Sequence, residues 1–321
     1  MKETGKRFFK KAALVPVMLG NRLFFSIYFR LARQSYRLRP LEDLHHKRIL
    51  LLAPHVDDEV IGCGGLLFKL AAANNTVQCL YLTNGAGSFH PTLSRDELIE
   101  LRKKEALRVA EFYGLAPPVF LGMEDGALEV TAAAIEMVEK ELRRFAPQIV
   151  FLPYFLDGHG DHVATARLGL AALEKGGFAA DFPLYLYQAC SSFTPGDANR
   201  YFLLAEEYEG KKKALQIFRS QTMPFGGLLM LDRYRRWAVG GKKDAAAKIK
   251  GAEFFRKDSL EGLKKALAHL SNAITAKIRP ISSPYFLIRD YFSGWQAKKK
   301  VVKAFDSAGG ITDVREEKPK C

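Results

Sequence analysis

The chain has 321 residues, 48% hydrophobic and 26% charged. That is too apolar for a disordered protein and long enough for one large α/β domain or two small ones. Four cysteines (Cys63, Cys79, Cys190 and Cys321) stand far apart with no CxxC pair, which excludes a disulfide framework and a structural zinc ribbon and fits a reducing, cytoplasmic compartment. The net charge of +14 sits wholly on the flanks: residues 1–48 carry 12 Lys/Arg against 3 Asp/Glu, residues 259–321 carry 12 against 6, and the stretch between them 25 against 26.

Residues 1–45 read as a basic amphipathic extension. Taken as a helix, Arg22–Arg37 places Arg22, Arg30, Arg33 and Arg37 on one face and Phe24, Ile27, Tyr28 and Leu31 opposite, a pattern suited to lying in a membrane interface. The alternative is that this face packs on the core. Ala12–Asn21 and Leu23–Phe29 are separated by Arg22. Each is shorter than the roughly 20 apolar residues of a spanning helix, so no transmembrane segment is expected. No small-x-small site follows the apolar run, so it reads as uncleaved.

From Arg48 the rhythm becomes strand–helix alternation. Arg48–Ala53, Val77–Thr83, Val119–Leu121, Ile149–Pro153 and Leu184–Cys190 are short apolar runs of the kind buried on both faces. Helical patterns lie between them at Gly64–Ala73, Ser94–Tyr113, Thr131–Phe145 and His162–Leu173. Ser94 with Glu97 is a capping-box pair. The spacing predicts βαβ units and a mostly parallel sheet in a three-layer, Rossmann-like α/β domain over residues 46–258. Helices are expected again at Lys211–Ser220 and Asp244–Arg256, with a mobile loop at Pro224–Gly241 between them. Residues 259–321 read as a C-terminal extension: a helix at Leu260–Ile274, an aromatic-basic stretch at Pro284–Lys303 and a disordered end at Ser307–Cys321. No internal repeat is present.

Ligands on such sheets sit at the carboxyl ends of strands, and two motifs fall there. The first strand runs into His55-Val56-Asp57-Asp58-Glu59, then Gly62-Cys63-Gly64-Gly65. A lone Asp there would cap the helix. Three adjacent acids repel one another unless a cation sits among them, and His with Asp is an ordinary zinc donor pair. Past Pro153 comes Asp157-Gly158-His159-Gly160-Asp161-His162. His and Asp from one loop with a His from the other supply three ligands and leave an open fourth position, the catalytic rather than structural pattern. Cys63 reads as a small buried residue.

PHVDDE followed by IGCGG and a downstream HGDH resembles the PIG-L/LmbE-like family of zinc-dependent N-acetylglucosaminyl deacetylases, with Val56 and Gly160 where the family often has Pro. Weaker marks agree: Arg102 and Glu105, Lys212–Gln221, and Ala252–Phe255. The resemblance implies that His55, Asp58 and His162 hold Zn2+ or another divalent transition metal. It further implies that Asp57 is the general base and that protonated His159 stabilises the oxyanion. Glu59 either orients His55 or caps the next helix. Arg102 either reaches a sugar hydroxyl or phosphate or pairs with Glu105, and Asn84–Ser88 either lines the substrate cleft or is only a turn.

The expected function is removal of an N-acetyl group from an amino sugar, lipid- or nucleotide-linked. An amidase for a non-sugar N-acyl compound and a membrane-associated glycan-binding protein without catalysis are the alternatives. The basic flanks point to an anionic membrane surface, on the cytoplasmic face. No nucleic-acid-binding fold accompanies the charge, which argues against that partner.

Overall fold

A computed structural model describes residues 2–87, 90–221, 225–239, 248–281 and 283–307. In chain order the elements are α1 (Lys2–Leu31), α2 (Arg33–Tyr36), β1 (Arg39–Pro40), β2 (Arg48–Ala53), α3 (Asp58–Ala72), β3 (Thr76–Thr83), α4 (Arg95–Tyr113), β4 (Val119–Met123), α5 (Ala132–Phe145) and β5 (Ile149–Pro153). They continue with α6 (Gly160–Lys175), β6 (Pro183–Tyr187), β7 (Arg200–Leu204), α7 (Glu207–Leu215), α8 (Gly226–Val239), β8 (Gly251–Ser259), α9 (Leu260–Ala268), α10 (Asn272–Thr275), α11 (Leu287–Tyr291) and α12 (Trp295–Ser307).

The strands form one sheet in the order β1-β7-β8-β6-β5-β2-β3-β4, with helices on both sides. From β6 through β4 every neighbour is parallel, and β8 runs antiparallel to both β6 and β7. This is the expected α/β class. The apolar run of β2 sets its middle: every residue after Arg48 is buried, and β3 and β5 flank it. The chain goes outward from β2 through β3 and β4, then returns to the other side of β2 as β5. The order therefore reverses around β2, and a crevice opens at the carboxyl ends of β2 and β5.

Local signals hold where they are strong. Ser94 caps α4 in a full capping box: its hydroxyl accepts from the Glu97 amide, and the Glu97 carboxylate accepts from the Ser94 amide. Two expectations fail. Asp244–Arg256 is not a helix; Gly251–Ser259 is the strand β8, inserted between β6 and β7 and almost wholly buried. Its charged residues broke the apolar run that marks a buried strand, and each is paired instead. The Glu253 carboxylate accepts from Lys211, and Arg256 pairs with Asp258 at 3.0 Å. The loop expected at Pro224–Gly241 is the helix α8 over Gly226–Val239; Pro224, Gly240 and Gly241 lie outside the described residues, as do residues 308–321 of the expected disordered end.

The flanks pack on the core. Phe25 and Phe29 of α1, Tyr36 of α2 and Leu287, Tyr291, Val301 and Val302 near the C-terminus join the one hydrophobic cluster. Phe25 stacks on Tyr234, and the Tyr36 and Tyr291 hydroxyls meet. Lys298 is buried and donates to the Ser192 carbonyl at 2.7 Å, so this part of the C-terminal basic run does not face outward. Among the described residues one helix, α1, contains a stretch long and apolar enough to cross a membrane by length and composition, Leu14–Leu31, with mean hydropathy 1.2. Arg22 does not interrupt it as the sequence reading expects.

Candidate active site

The loop leaving β2 turns sharply into α3, and Asp57 takes the turn with φ 136° and ψ −23°. A β-carbon is strained in that region. The conformation is held from both sides: the Asp57 amide donates to Glu59 Oε2 at 3.1 Å, and its carbonyl accepts from Val60 and Ile61 at 3.0 and 2.9 Å. Asp57 precedes α3, yet its side chain makes no capping hydrogen bond. The carboxyl is buried and held well above the usual carboxylate range, first by burial and then by the charge of Asp58. Glu59 does not touch His55. It supports the Asp57 backbone, and burial lifts its carboxyl to about 7. Gly62 is needed next, because a β-carbon there would run into the Tyr187 ring and the Gln188 carbonyl.

Asp58 ties the two motifs together. One of its oxygens lies 3.1 Å from His55 Nδ1 and the other 3.3 Å from His162 Nε2. His162 is fully buried, and neither ring nitrogen makes a hydrogen bond of good geometry. Its Nδ1 lies 3.2 Å from Asp157, whose carboxylate also accepts from the amides of His159, Cys190 and Ser191 at 2.9, 3.2 and 2.9 Å. Asp157 thus orients His162, as outer carboxylates orient metal-bound histidines. Burial alone would lower the His162 pKa, but Asp58 and Asp157 outweigh it and raise it to about 10.

His159 lies beside them, its ring centroid 4.7 Å from that of His55 and 4.9 Å from that of His162. Its Nδ1 accepts from the Asp161 amide at 3.3 Å, which leaves the ring proton on Nε2 as a donor. Burial and the neighbouring His162 and His55 lower its pKa.

Three further residues come into the site, and the sequence reading missed their part. Asp125, past the end of β4, lies 3.2 Å from His55 Nε2, and Asp161 lies 3.1 Å from the same atom. Cys190, past the end of β6, shares a tight cluster with Asp58 and His162. For Asp125 the available signal is position, the loop after a parallel strand of this sheet. Arg102 is buried and does not pair with Glu105. It donates to the Gly85 carbonyl and to Gln221 Oε1 at 3.1 Å, and lies 3.4 Å from Asp125. Gln221 in turn donates to the Val56 carbonyl at 2.9 Å, so Arg102 braces the loop after β2. Glu105 is taken by Ser220. Asn84 makes the turn: its Oδ1 accepts from the Ala86 amide at 3.0 Å and its amide donates to Glu124. Ser88 lies outside the described residues.

Beneath the motif, Lys211 is fully buried and donates to Asp232, Glu253 and the Ile61 carbonyl at 2.7, 2.8 and 2.7 Å. Glu253 also accepts from the Gly65 and Leu66 amides, which pins α3 to β8. The C-terminal segment closes the other side: a β-carbon at Gly158 would strike the Ile278 carbonyl. A groove of about 540 Å3 is lined by His159, Leu128, Arg167, Asn272 and Thr275 among others.

Three histidines whose ring nitrogens converge within 4.8 Å, two buried carboxylates beside them and an orphaned, oriented imidazole fit a divalent transition metal. Residues 50–173 match the model of the PIG-L family, described as GlcNAc-PI de-N-acetylase. The diacetylchitobiose deacetylase of Thermococcus kodakarensis is 29% identical over 196 residues, 57% of this chain and 72% of that protein. The 2'-N-acetylparomamine deacetylase of Streptomyces fradiae is 28% identical over 165 residues, 44% of this chain and 59% of the relative. Among solved structures, the N,N'-diacetylchitobiose deacetylase of Pyrococcus horikoshii superposes with a TM-score of 0.54 at 24% identity, covering 67% of this chain and 84% of that one. The likeness to this structure concerns the fold.

Proposed function

We propose that the chain is a zinc-dependent hydrolase that removes the N-acetyl group of an amino sugar, with a lipid- or nucleotide-linked N-acetylglucosamine derivative as the substrate class. The observation that carries the reading is the Asp58 carboxylate set between His55 and His162, at 3.1 and 3.3 Å, with the buried Asp57 in a strained turn beside it. The two curated relatives act, by their names, on N-acetylated amino sugars.

His55, Asp58 and His162 would hold the ion. When bound, it supplies a water of lowered pKa at neutral pH and a Lewis-acid contact for the acyl oxygen. Asp57, one residue before a ligand, aims elsewhere and takes the proton of the attacking water. It then returns a proton to the departing sugar amine. His159 donates from Nε2 to the developing oxyanion. Asp157 keeps the His162 ring in place. Arg102 and Asp125 hold the loops around the sugar.

The test is acetate release from free, nucleotide-linked and lipid-linked N-acetyl sugars, read beside metal content. Asp57→Asn should keep its metal and lose activity on the order of 10²-fold or more. His162→Ala should lose both. Stoichiometric metal in His162→Ala would remove it from the ligand set, and near-normal turnover by Asp57→Asn would leave Asp57 without its role as base.

A further inference from the structure

Among the described residues, the outward face of α1 has no partner. Val15, Leu19, Leu23, Ile27 and Leu31 succeed one another every fourth residue and are 61, 61, 65, 50 and 79% exposed. That spacing makes one continuous apolar ridge along the helix. The opposite face is locked: Phe25 and Phe29 are fully buried among Tyr234 and Tyr291, and the Asn21 side chain donates to the Pro284 carbonyl at 2.7 Å. A monomeric soluble protein seldom leaves such a ridge bare.

We propose that this ridge docks the protein onto an anionic lipid surface, with α1 lying flat against the catalytic domain and its apolar side chains inserted among the acyl chains. Burial of Phe25 and Phe29 holds the helix along the domain, so attachment does not require it to detach and cross. Charge selects this occupant over a second copy of the chain. Residues 14–31 hold Arg22 and Arg30 and no acidic residue, and residues 1–48 carry 12 basic groups against 3 acidic ones. Two such helices face to face would set arginine against arginine, whereas anionic headgroups attract each of them. Beside α1, the half-exposed Phe286 ring carries the Arg289 guanidinium 4.2 Å above it, another apolar and basic pair of the kind found at a membrane interface. The inference does not depend on the deacetylase reading, because it rests on a different surface.

The test is sedimentation of the full chain with vesicles of equimolar phosphatidylcholine and phosphatidylglycerol, and with phosphatidylcholine alone. Binding is expected to the first and to weaken strongly on the second. Leu23→Asp with Ile27→Asp places charge only at exposed positions and should lower partitioning roughly a hundredfold or more, since two large aliphatic side chains leave the lipid. Its near-UV circular dichroism and melting temperature should match the parent. Arg22→Glu should weaken binding to the anionic vesicles alone. A Leu23→Trp variant should be quenched by bromine-labelled acyl chains, which keeps the question answerable if the double variant misfolds. Equal binding by parent and double variant, no quenching, or a concentration-dependent dimer that the double variant abolishes would overturn the proposal, the last assigning the ridge to a second copy.

Discussion

Asp57→Gly is expected to stabilise the metal-free protein while abolishing its activity. A side chain at φ 136° and ψ −23° costs on the order of 1–3 kcal/mol, tolerated only because neighbouring contacts dictate the backbone. Glycine adopts that conformation freely. It also has a more flexible unfolded chain, which offsets about 0.5–1 kcal/mol of the gain. Removal of the carboxyl adds relief of its own, because the group is buried next to Asp58. Asp57→Asn isolates that part: it removes the charge and leaves the strained β-carbon. The difference between the two variants therefore reads the strain, and glycine should exceed asparagine by roughly 0.5–2 kcal/mol. Urea unfolding of both variants after chelation gives the number, and acetate release gives the loss of function. A glycine variant no more stable than the asparagine variant would show that the turn stores no strain.

Glu253→Ala should cost about 3–5 kcal/mol, because it leaves Lys211 buried without one of its acceptors and two α3 amides unpaired; Lys211→Met combined with Glu253→Met should cost less than the sum of the single variants by denaturant unfolding. Glu42 is held down to about 2, against its own burial, by Lys257 and Arg200. Its folded pKa lies below the ordinary value, so its contribution is present above about pH 4.5 and is lost as pH falls toward 2. The group is half exposed, so Glu42→Gln should cost only about 1 kcal/mol at pH 7, a gap that closes in acid-unfolding curves by pH 2. Ser94→Ala should cost about 1 kcal/mol in the same assay through loss of the capping box.

The β2 and β5 loops were legible because both of their signals are local. A run of apolar residues buried on two faces makes a strand, and His and Asp directly after it stand at its carboxyl end whatever the rest of the chain does. The strand β8 was not legible for the opposite reason. Glu253, Arg256 and Asp258 argue against a buried strand until their partners are in place, and Lys211 lies 42 residues away from Glu253. The helix α8 was hidden in a similar way: Asp232 and Arg235 are buried polar residues whose partners come from α7 and from Gln188 past β6.

By itself, then, the sequence determined the class of fold, the loops after β2 and β5 and the capping of α4, since each follows from neighbours in the chain. Only the tertiary structure decided that Asp125 and Cys190 join those loops, because separate strand ends meet once the sheet has formed. It also decided that Arg102 braces the Gln221 loop in place of pairing along its own helix. The same holds for α1. Helical periodicity shows that the helix has apolar and basic sides, but which apolar residues enter the core depends on what packs against it. Tyr234 and Tyr291 cover Phe25 and Phe29, and the ridge from Val15 to Leu31 remains outside.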